Sequence, residues 1–413
     1  MELQHLSGKL TPAVRAAARR LVRRLDELGR ISDEADRLTR TFLSPAMARA
    51  NEQVGAWMQE AGLAVREDAV GNLIGRSAVE GPTFMVGSHL DTVRDAGRFD
   101  GALGVLLGIA VAEVFGADLA QWPFALEVVG FSEEEGVRFS SAYLGSKGYV
   151  GRLSKADLAR SDANGISVAQ ALAQRDPVVR RRARRLLGYL EVHIEQGPVL
   201  EAEGRPLGVV TSIAGQTRGR ATYGGRAGHA GTTPMRLRRD ALAGAAEWIG
   251  AVERFAARRA PLVATVGTIA VSPGAANVIA GEAVLGLDVR HPLDRARQAA
   301  LRSLLGQGQT IARRRGLSFR WEKTQDDGAV ACDRRLRREL ARAAAPWSPP
   351  ELASGAGHDA VVISQLTRVA MLFVRCRAGL SHHPSEYAAP RDIAAALGAS
   401  CQFISSLARH VRT

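Results

Sequence analysis

TFMVGSHLDTVRDAGRFDGALGVLLGIAVAEVFGADLAQWPFALEVVGF, residues 83–131, is the stretch that sets the architecture. It opens on an apolar run, Thr83–Gly87, and closes on another, Phe124–Phe131. Between them a longer apolar segment begins near Gly101 and ends at Phe115. Strand-length apolar runs alternating with a helix-length one indicate a sheet covered by helices, because a strand buried on both faces shows no polar alternation. The segment Gly101–Phe115 falls short of the roughly 20 residues that cross a bilayer. It also carries Glu113, so a buried helix is expected and no membrane partner.

Working outward, helices are expected over 12–28 and 46–61, the second opened by Ser44-Pro45 and stopped by Gly62. Further strands are expected at Leu63–Arg66, Asn72–Arg76 and Tyr189–His193. After about Ser212 the texture changes. Arg218–Tyr223 reads as strand, Leu237–Arg258 as helix, Leu262–Val271 and Val278–Val289 as strands, Arg295–Arg315 as helix and Leu317–Lys323 as strand. That β-α-β-β-α-β order is ferredoxin-like. From Cys332 the first texture returns, with a strand at Val369–Cys376 and a closing helix at Arg391–His410. The expected class is α/β. An α/β/α domain on a central mixed sheet, residues 1–212 and 331–413, is interrupted by a smaller ferredoxin-like α+β domain, 213–330.

The chain has 413 residues, 46% hydrophobic and 23% charged, which is ordinary globular composition. Three cysteines, Cys332, Cys376 and Cys401, form no CxxC, which fits a reducing compartment. The opening MELQHLSGKL lacks a basic segment followed by an apolar one, so no signal peptide and a cytoplasmic location are expected. The formal charge is +13, yet only four lysines occur, so the positive charge is arginine spread along the chain. Its densest run, Arg180–Arg185, has no interleaved aromatics and reads as a solvated helix. No nucleic-acid partner is expected; the positive field suits small anionic substrates.

Residues able to do chemistry cluster at strand ends. His89 and Asp91 follow the strand Phe84–Val86, and period two puts them on one side. His89 could bind a metal through one ring nitrogen while Asp91 accepts from the other, or the pair could be a loop histidine beside a capping aspartate. Asp100 could bind metal or cap the helix that follows. Glu133-Glu134-Glu135 ends the strand Phe124–Gly130. Three adjacent carboxylates repel unless a cation neutralises them or water solvates them. His193 closes another strand, and His382 follows Val369–Cys376. Ligands of α/β sheets bind beyond the carboxyl ends of the strands, so these groups are expected to converge.

The segments GSHLDTV, FDG, EEEGVRF, HIEQGPVLE, GRAGHAGTTPM, NVIAG and SHHPSEY, in that order over residues 20–410, resemble the M20-type metallopeptidase superfamily, in its hydantoinase/carbamoylase branch. The resemblance implies two divalent ions per subunit, zinc or manganese, with cobalt a further option. It implies His89, Asp100 and His193 as ligands of one ion, and Asp100, Glu135 and His382 as ligands of the other. The Ser-His-x-Pro frame selects His382, while His383 stands where the family often has Asn. Glu134 matches the general base, Gln196, His229, Asn277 and Arg290 match substrate positions, and His229 matches an oxyanion-stabilising histidine. The turn Ser354–Asp359, with Gly357, resembles a loop lining the substrate pocket, although His358 and Asp359 could equally start a helix. The smaller domain is expected to act as lid and to form a homodimer. The implied reaction is hydrolysis of the carbamoyl or ureido C–N bond of a small anionic substrate. Allantoate leads, giving ureidoglycine, ammonia and carbon dioxide; the alternative is an N-carbamoyl-L-amino acid. A non-catalytic ligand-binding homologue is the remote alternative, disfavoured by the intact ligand and base positions.

Overall fold

The computed structural model describes residues 10–173 and 185–411; most of the arginine run at 180–185 lies outside them. Thr83–His89 and Ala125–Phe131 are neighbouring parallel strands, and Ala102–Phe115 is the helix between them in sequence. Leu186–Ile194 pairs parallel with the other edge of Thr83–His89, and Val369–Val374 pairs parallel with Leu186–Ile194. Antiparallel strands flank this core: Leu73–Arg76 with Ala64–Glu67 beyond it on one side, and Leu207–Ile213 on the other. The sheet is therefore mixed and the class is α/β.

Every residue of Thr83–His89 and Ala125–Phe131 is buried. The pleat sorts them onto two covered faces. Val86 and Val128 face the helix Ala102–Phe115, meeting it at Gly108. Met85, Glu127 and Tyr189 face the helix Leu144–Val150, whose Tyr149 hydroxyl donates to Glu127 over 2.6 Å; the Phe131 ring meets those of Tyr149 and Tyr189 edge-on. By length and composition Ala102–Gln121 would suit a bilayer, but 72% of that window is buried inside the fold. Glu113 within it accepts from Arg20 over 2.9 Å and pairs with Arg24, both on the helix Pro12–Leu28. That helix starts where the Thr11 side chain accepts from Val14 N–H, with Pro12 at its first position.

Contacts divide the described residues into two compact units: those within 1–211, 332–352 and 357–413, and those within 212–331 and 353–356. The second has a four-stranded antiparallel sheet ordered Ser318–Asp327, Gly215–Gly224, Glu282–His291, Val263–Ser272. Helices Ala241–Ala257 and Asp294–Arg315 cover one face, around Tyr223, Trp248, Leu285 and Leu304. Along Gly215–Gly224 burial alternates strictly, leaving Arg218 and Arg220 on the open face.

Three differences from the sequence expectation have a clear local cause. The helix expected from Leu237 begins at Ala241, because the Asp240 side chain accepts from Ala243 N–H and caps it there. The strand expected over Val278–Val289 breaks at Gly281, where the chain changes partner: Val278–Ile279 pairs with Gly228–His229, whereas Glu282–His291 joins the main sheet. Leu207–Ile213, almost wholly buried, has no alternation to betray it and is a strand the sequence reading omits.

Gly104 lies where the helix Ala102–Phe115 crosses its sheet, and a Cβ there would overlap the Val192 carbonyl and press on Ser88. Gly104→Ala is expected to cost about 1–3 kcal/mol through overpacking. Thermal unfolding should show a melting temperature lower by several degrees.

Candidate metal centre

Because the central strands are parallel, their carboxyl ends share one edge. His89 is the last residue of its strand and His193 the last but one of Leu186–Ile194. Met85 pairs with Tyr189, so the odd-numbered residues His89 and His193 project from the same face. Their rings lie 5.8 Å apart between centroids at 30°. Asp100 enters from the turn before the helix Ala102–Phe115, and it does not cap that helix: Gly101 occupies the cap position and no side chain bonds to the first turn. Gly101 has φ +67°, and any Cβ there would overlap the His89 ring, so glycine is required. Asp100 Oδ1 instead lies 3.0 Å from His193 Nε2 and 3.5 Å from His89 Nε2.

The Nδ1–H of His89 donates to the Asp91 carbonyl over 3.0 Å, and that of His193 to the Ile194 carbonyl over 2.9 Å. Each ring is thereby fixed with its Nε2 lone pair turned towards Asp100. Asp100 Oδ1 is buried with no hydrogen-bond donor. Lone pairs from two imidazoles and a carboxylate meeting at one buried point require positive charge there, as ring protons or as a cation. Two further groups adjoin this one. Asp100, Glu135 and His382 form the second, with His382 Nε2 3.4 Å from Asp100 Oδ2 and 3.3 Å from Glu135 Oε1; His89, Glu134 and Glu135 form the third. In each, one possible ligand atom per residue falls within 4.8 Å of the others. Imidazole and carboxylate donors without thiolate suit zinc, manganese or cobalt.

The acidic run divides its labour. Glu133 turns inward and accepts from the amides of Gly136 and Leu144, bracing the turn. Glu134 and Glu135 face the histidines, held by Asp91: its carboxylate accepts from Glu134 N–H over 3.0 Å and Glu135 N–H over 3.1 Å, besides lying 3.3 Å from His89 Nδ1. The sequence reading assigns Asp91 only the ring contact. Burial pushes the Glu133 carboxyl well above its ordinary range, helped by Asp91. Burial likewise pushes Glu134 well up, with His89 opposing and Glu135 and Asp359 adding to it. Burial acts on Asp100 in the same direction, but His193 and His89 outweigh it and hold that carboxyl well below the usual range.

The remaining sequence candidates are placed as follows. Gln196 Nε2 donates to Asp100 Oδ2 over 2.9 Å, from a backbone at φ +55°. At Gly357 a Cβ would overlap the Tyr143 hydroxyl and approach Glu134 Oε1 to 3.7 Å. His382 sits at φ +56°, while His383 turns away and accepts from Ser385 N–H. His358 is buried against His193 and Phe373, and Asp359 precedes the short helix Ala360–Ile363 without capping it through its side chain. In the second unit, His229 Nδ1 accepts from the amides of Gly231 and Thr232, which leaves its proton on Nε2. The Asn277 carbonyl accepts from Ala230 N–H, keeping Asn277 beside His229. Arg290 already grips Asp288 through Nε at 3.0 Å and Nη2 at 2.9 Å and donates Nη1 to the Gly355 carbonyl. The sequence reading misses Ser381 and Glu386, both bonded around Asp100; the signal available was a hydroxyl and a carboxyl bracketing His382 in SHHPSE.

Comparison with known proteins places this geometry. The model of peptidase family M20/M25/M40 matches residues 85–406. The chain is 40% identical to allantoate deiminase 2 of Glycine max, over 94% of this chain and 89% of that one. It is 39% identical to the N-carbamoyl-L-amino-acid amidohydrolase of Pseudomonas sp. (strain NS671), over 90% and 93%. The crystal structure of an amidase of the hydantoinase/carbamoylase family from Burkholderia multivorans superposes with a TM-score of 0.88 at 34% identity, covering 95% of this chain and 98% of that one.

Asp91→Asn would turn an amide N–H towards the backbone N–H of Glu134 or Glu135. Loss of such a supporting partner is expected to weaken metal uptake about 10–100-fold. Zinc titration of chelator-treated protein measures it; unchanged affinity would remove Asp91 from this role.

Proposed function

From the premise that this chain belongs to peptidase family M20/M25/M40, we propose that it is a two-metal amidohydrolase cleaving the ureido C–N bond of a small anionic substrate, allantoate first. Its relatives are named amidohydrolases and deiminases acting on such bonds, and the chain is a hydrolase of that kind. The observation carrying the proposal is Asp100, whose two oxygens each belong to a separate cluster of imidazole and carboxylate donors.

In this reading His89, Asp100 and His193 hold one ion and Asp100, Glu135 and His382 the other. Bound zinc, manganese or cobalt polarises the substrate carbonyl and makes water reactive near neutral pH. Glu134 accepts the proton of the attacking water on its carboxylate and delivers it to the departing nitrogen. Its burial, which favours the protonated form, suits the second half of that exchange. His229 presents its Nε2–H as a donor for the negative oxygen that develops in the transition state. Gln196, Asn277, Arg290 and the backbone at Gly357 are assigned to the substrate. The proposal extends to a homodimer formed through the second unit, checked by light scattering, where a monomer would contradict it. It also extends to a reducing, cytoplasmic setting, which the three free, buried cysteines suit.

One observation favours a second reading, hydrolysis of N-carbamoyl-L-amino acids. A hollow of about 930 Å³ on the open face of the second sheet contains Arg290 and is lined by Val263, Ile269, Ala270 and Val284, an apolar wall suited to an aliphatic side chain. Arg218 and Arg220 line the same hollow and offer the polar partners that a second ureido group would need.

Ammonia release from allantoate is expected to vanish on chelation and to return with manganese or zinc. Comparing kcat/KM for allantoate and N-carbamoyl-methionine decides between the readings; a higher value for the second compound reverses the ranking. Glu134→Gln is expected to retain metal and lose at least about 100-fold in kcat. Substantial residual turnover would remove Glu134 as the base.

A further inference from the structure

Glu386 is 4% exposed and lies five residues beyond Ser381 in the loop that carries His382. One of its oxygens, Oε1, accepts from Phe99 N–H over 2.8 Å and from Asp100 N–H over 3.0 Å. The other, Oε2, lies 3.1 Å from the Ser381 hydroxyl, which in turn contacts Asp100 Oδ2. The Glu386 N–H donates to the His383 carbonyl over 3.0 Å, closing a tight turn immediately after His382. Gly97 is packed so closely on Glu386 that any Cβ would overlap its carboxyl.

A carboxylate taken out of water is costly unless its lone pairs are filled. Here one oxygen is filled by two backbone amides of the Asp100 turn, and the other adjoins the Ser381 hydroxyl of the His382 loop, so two of the segments that supply the second cluster meet at Glu386. His382 occupies a left-handed backbone conformation, φ +56°, which a histidine adopts only where the surroundings hold it. Glu386 is not itself within the groups able to share an ion.

We propose that Glu386 is a positioning residue for the metal centre, the tie that fixes the bridging carboxylate Asp100 and the ligand His382 at their mutual spacing. The role rests on the two-metal reading above. It is distinct from ligation: Glu386 acts on where Asp100 and His382 stand, through the amides of Phe99 and Asp100 and the hydroxyl of Ser381. Gly97 is part of the same device, because only a residue without a side chain leaves room for the Glu386 carboxyl.

The test is Co²⁺ titration of the chelator-treated full chain, read by visible absorption, beside steady-state kinetics. Wild type is expected to take up two ions per chain. Glu386→Ala is expected to bind the more weakly held ion about 10–100-fold less tightly. Its Co²⁺ absorption bands should change and its kcat fall with KM unchanged. Glu386→Gln, which keeps an acceptor for the two amides, should recover most of the affinity. Gly97→Ala, which displaces an intact Glu386, should reproduce the alanine phenotype and carries the test if Glu386→Ala fails to fold by circular dichroism. Wild-type Co²⁺ affinity and bands in the folded variants would overturn the role of Glu386. Failure of the wild type to take up Co²⁺ would instead sink the metal reading itself.

Discussion

A single carboxylate, that of Asp100, is buried between imidazoles presented by two parallel strands, with a third, half-exposed imidazole and a second carboxylate at its other oxygen. The free energy of burying so many lone pairs together is unfavourable unless positive charge sits among them. Much of the surrounding structure follows from that demand. The parallel strands bring His89 and His193 to one edge. Gly101 lets the chain pass the His89 ring and deliver Asp100. Asp91 orients the Glu134–Glu135 turn, while Gln196 and Ser381 hold the outer oxygen of Asp100.

The charge distribution has the same logic on a larger scale. The chain carries +13 overall, yet Asp91, Asp100, Glu133, Glu134, Glu191 and Asp359 are buried. An acidic interior within a basic exterior gives two attractions of opposite sign. Compact cations are favoured at the carboxylate cluster, where bound ions become the largest local charges. The arginine-rich surface raises the local concentration of small anions. Burial alone would drive Glu133 and Glu134 towards their neutral forms; a cation beside Glu134 and Glu135 opposes that.

The architecture was legible wherever apolar runs had strand or helix length, and the residues of the donor clusters could be picked out because each lies beside the end of such a run. The β-α-β-β-α-β order of 213–330 could likewise be read from periodicity. What escaped depended on partners distant in sequence. Leu207–Ile213 is buried on both faces and bears no period. The break at Gly281 arises from a change of pairing partner, which a local pattern does not encode. Residue types left Asp100 open between cap and ligand; only the folded chain shows Gly101 in the cap position and the carboxylate turned to the histidines. His382 and His383 were adjacent candidates, and the backbone decides between them by turning His383 onto Ser385. Glu386 escaped because its partners, the amides of Phe99 and Asp100, lie nearly three hundred residues upstream.

The three donor clusters are built wholly from residues of the first unit, whereas His229, Asn277 and Arg290 belong to the second. The residues proposed for the substrate come from both units, Gln196 and Gly357 from the first and Asn277 and Arg290 from the second. The chain is nearly equally identical to an allantoate deiminase and to an N-carbamoyl-L-amino-acid amidohydrolase, 40% and 39%. Arg290, one of the residues proposed for the substrate, stands in an ion triad of the second sheet. There Asp288 accepts from both Arg290 and Arg218, and despite its partial burial the two guanidinium groups hold it below the usual carboxylate range. Arg290 grips Asp288 through two nitrogens and Arg218 through one, so an incoming anion would compete with an internal carboxylate. Arg290 and Arg218 are thus pre-oriented but partly neutralised, and an anion is rewarded only if it offers contacts that Asp288 does not already supply. The hollow that contains Arg290 presents Arg220 on its polar side and Val263, Ile269 and Val284 on its apolar side.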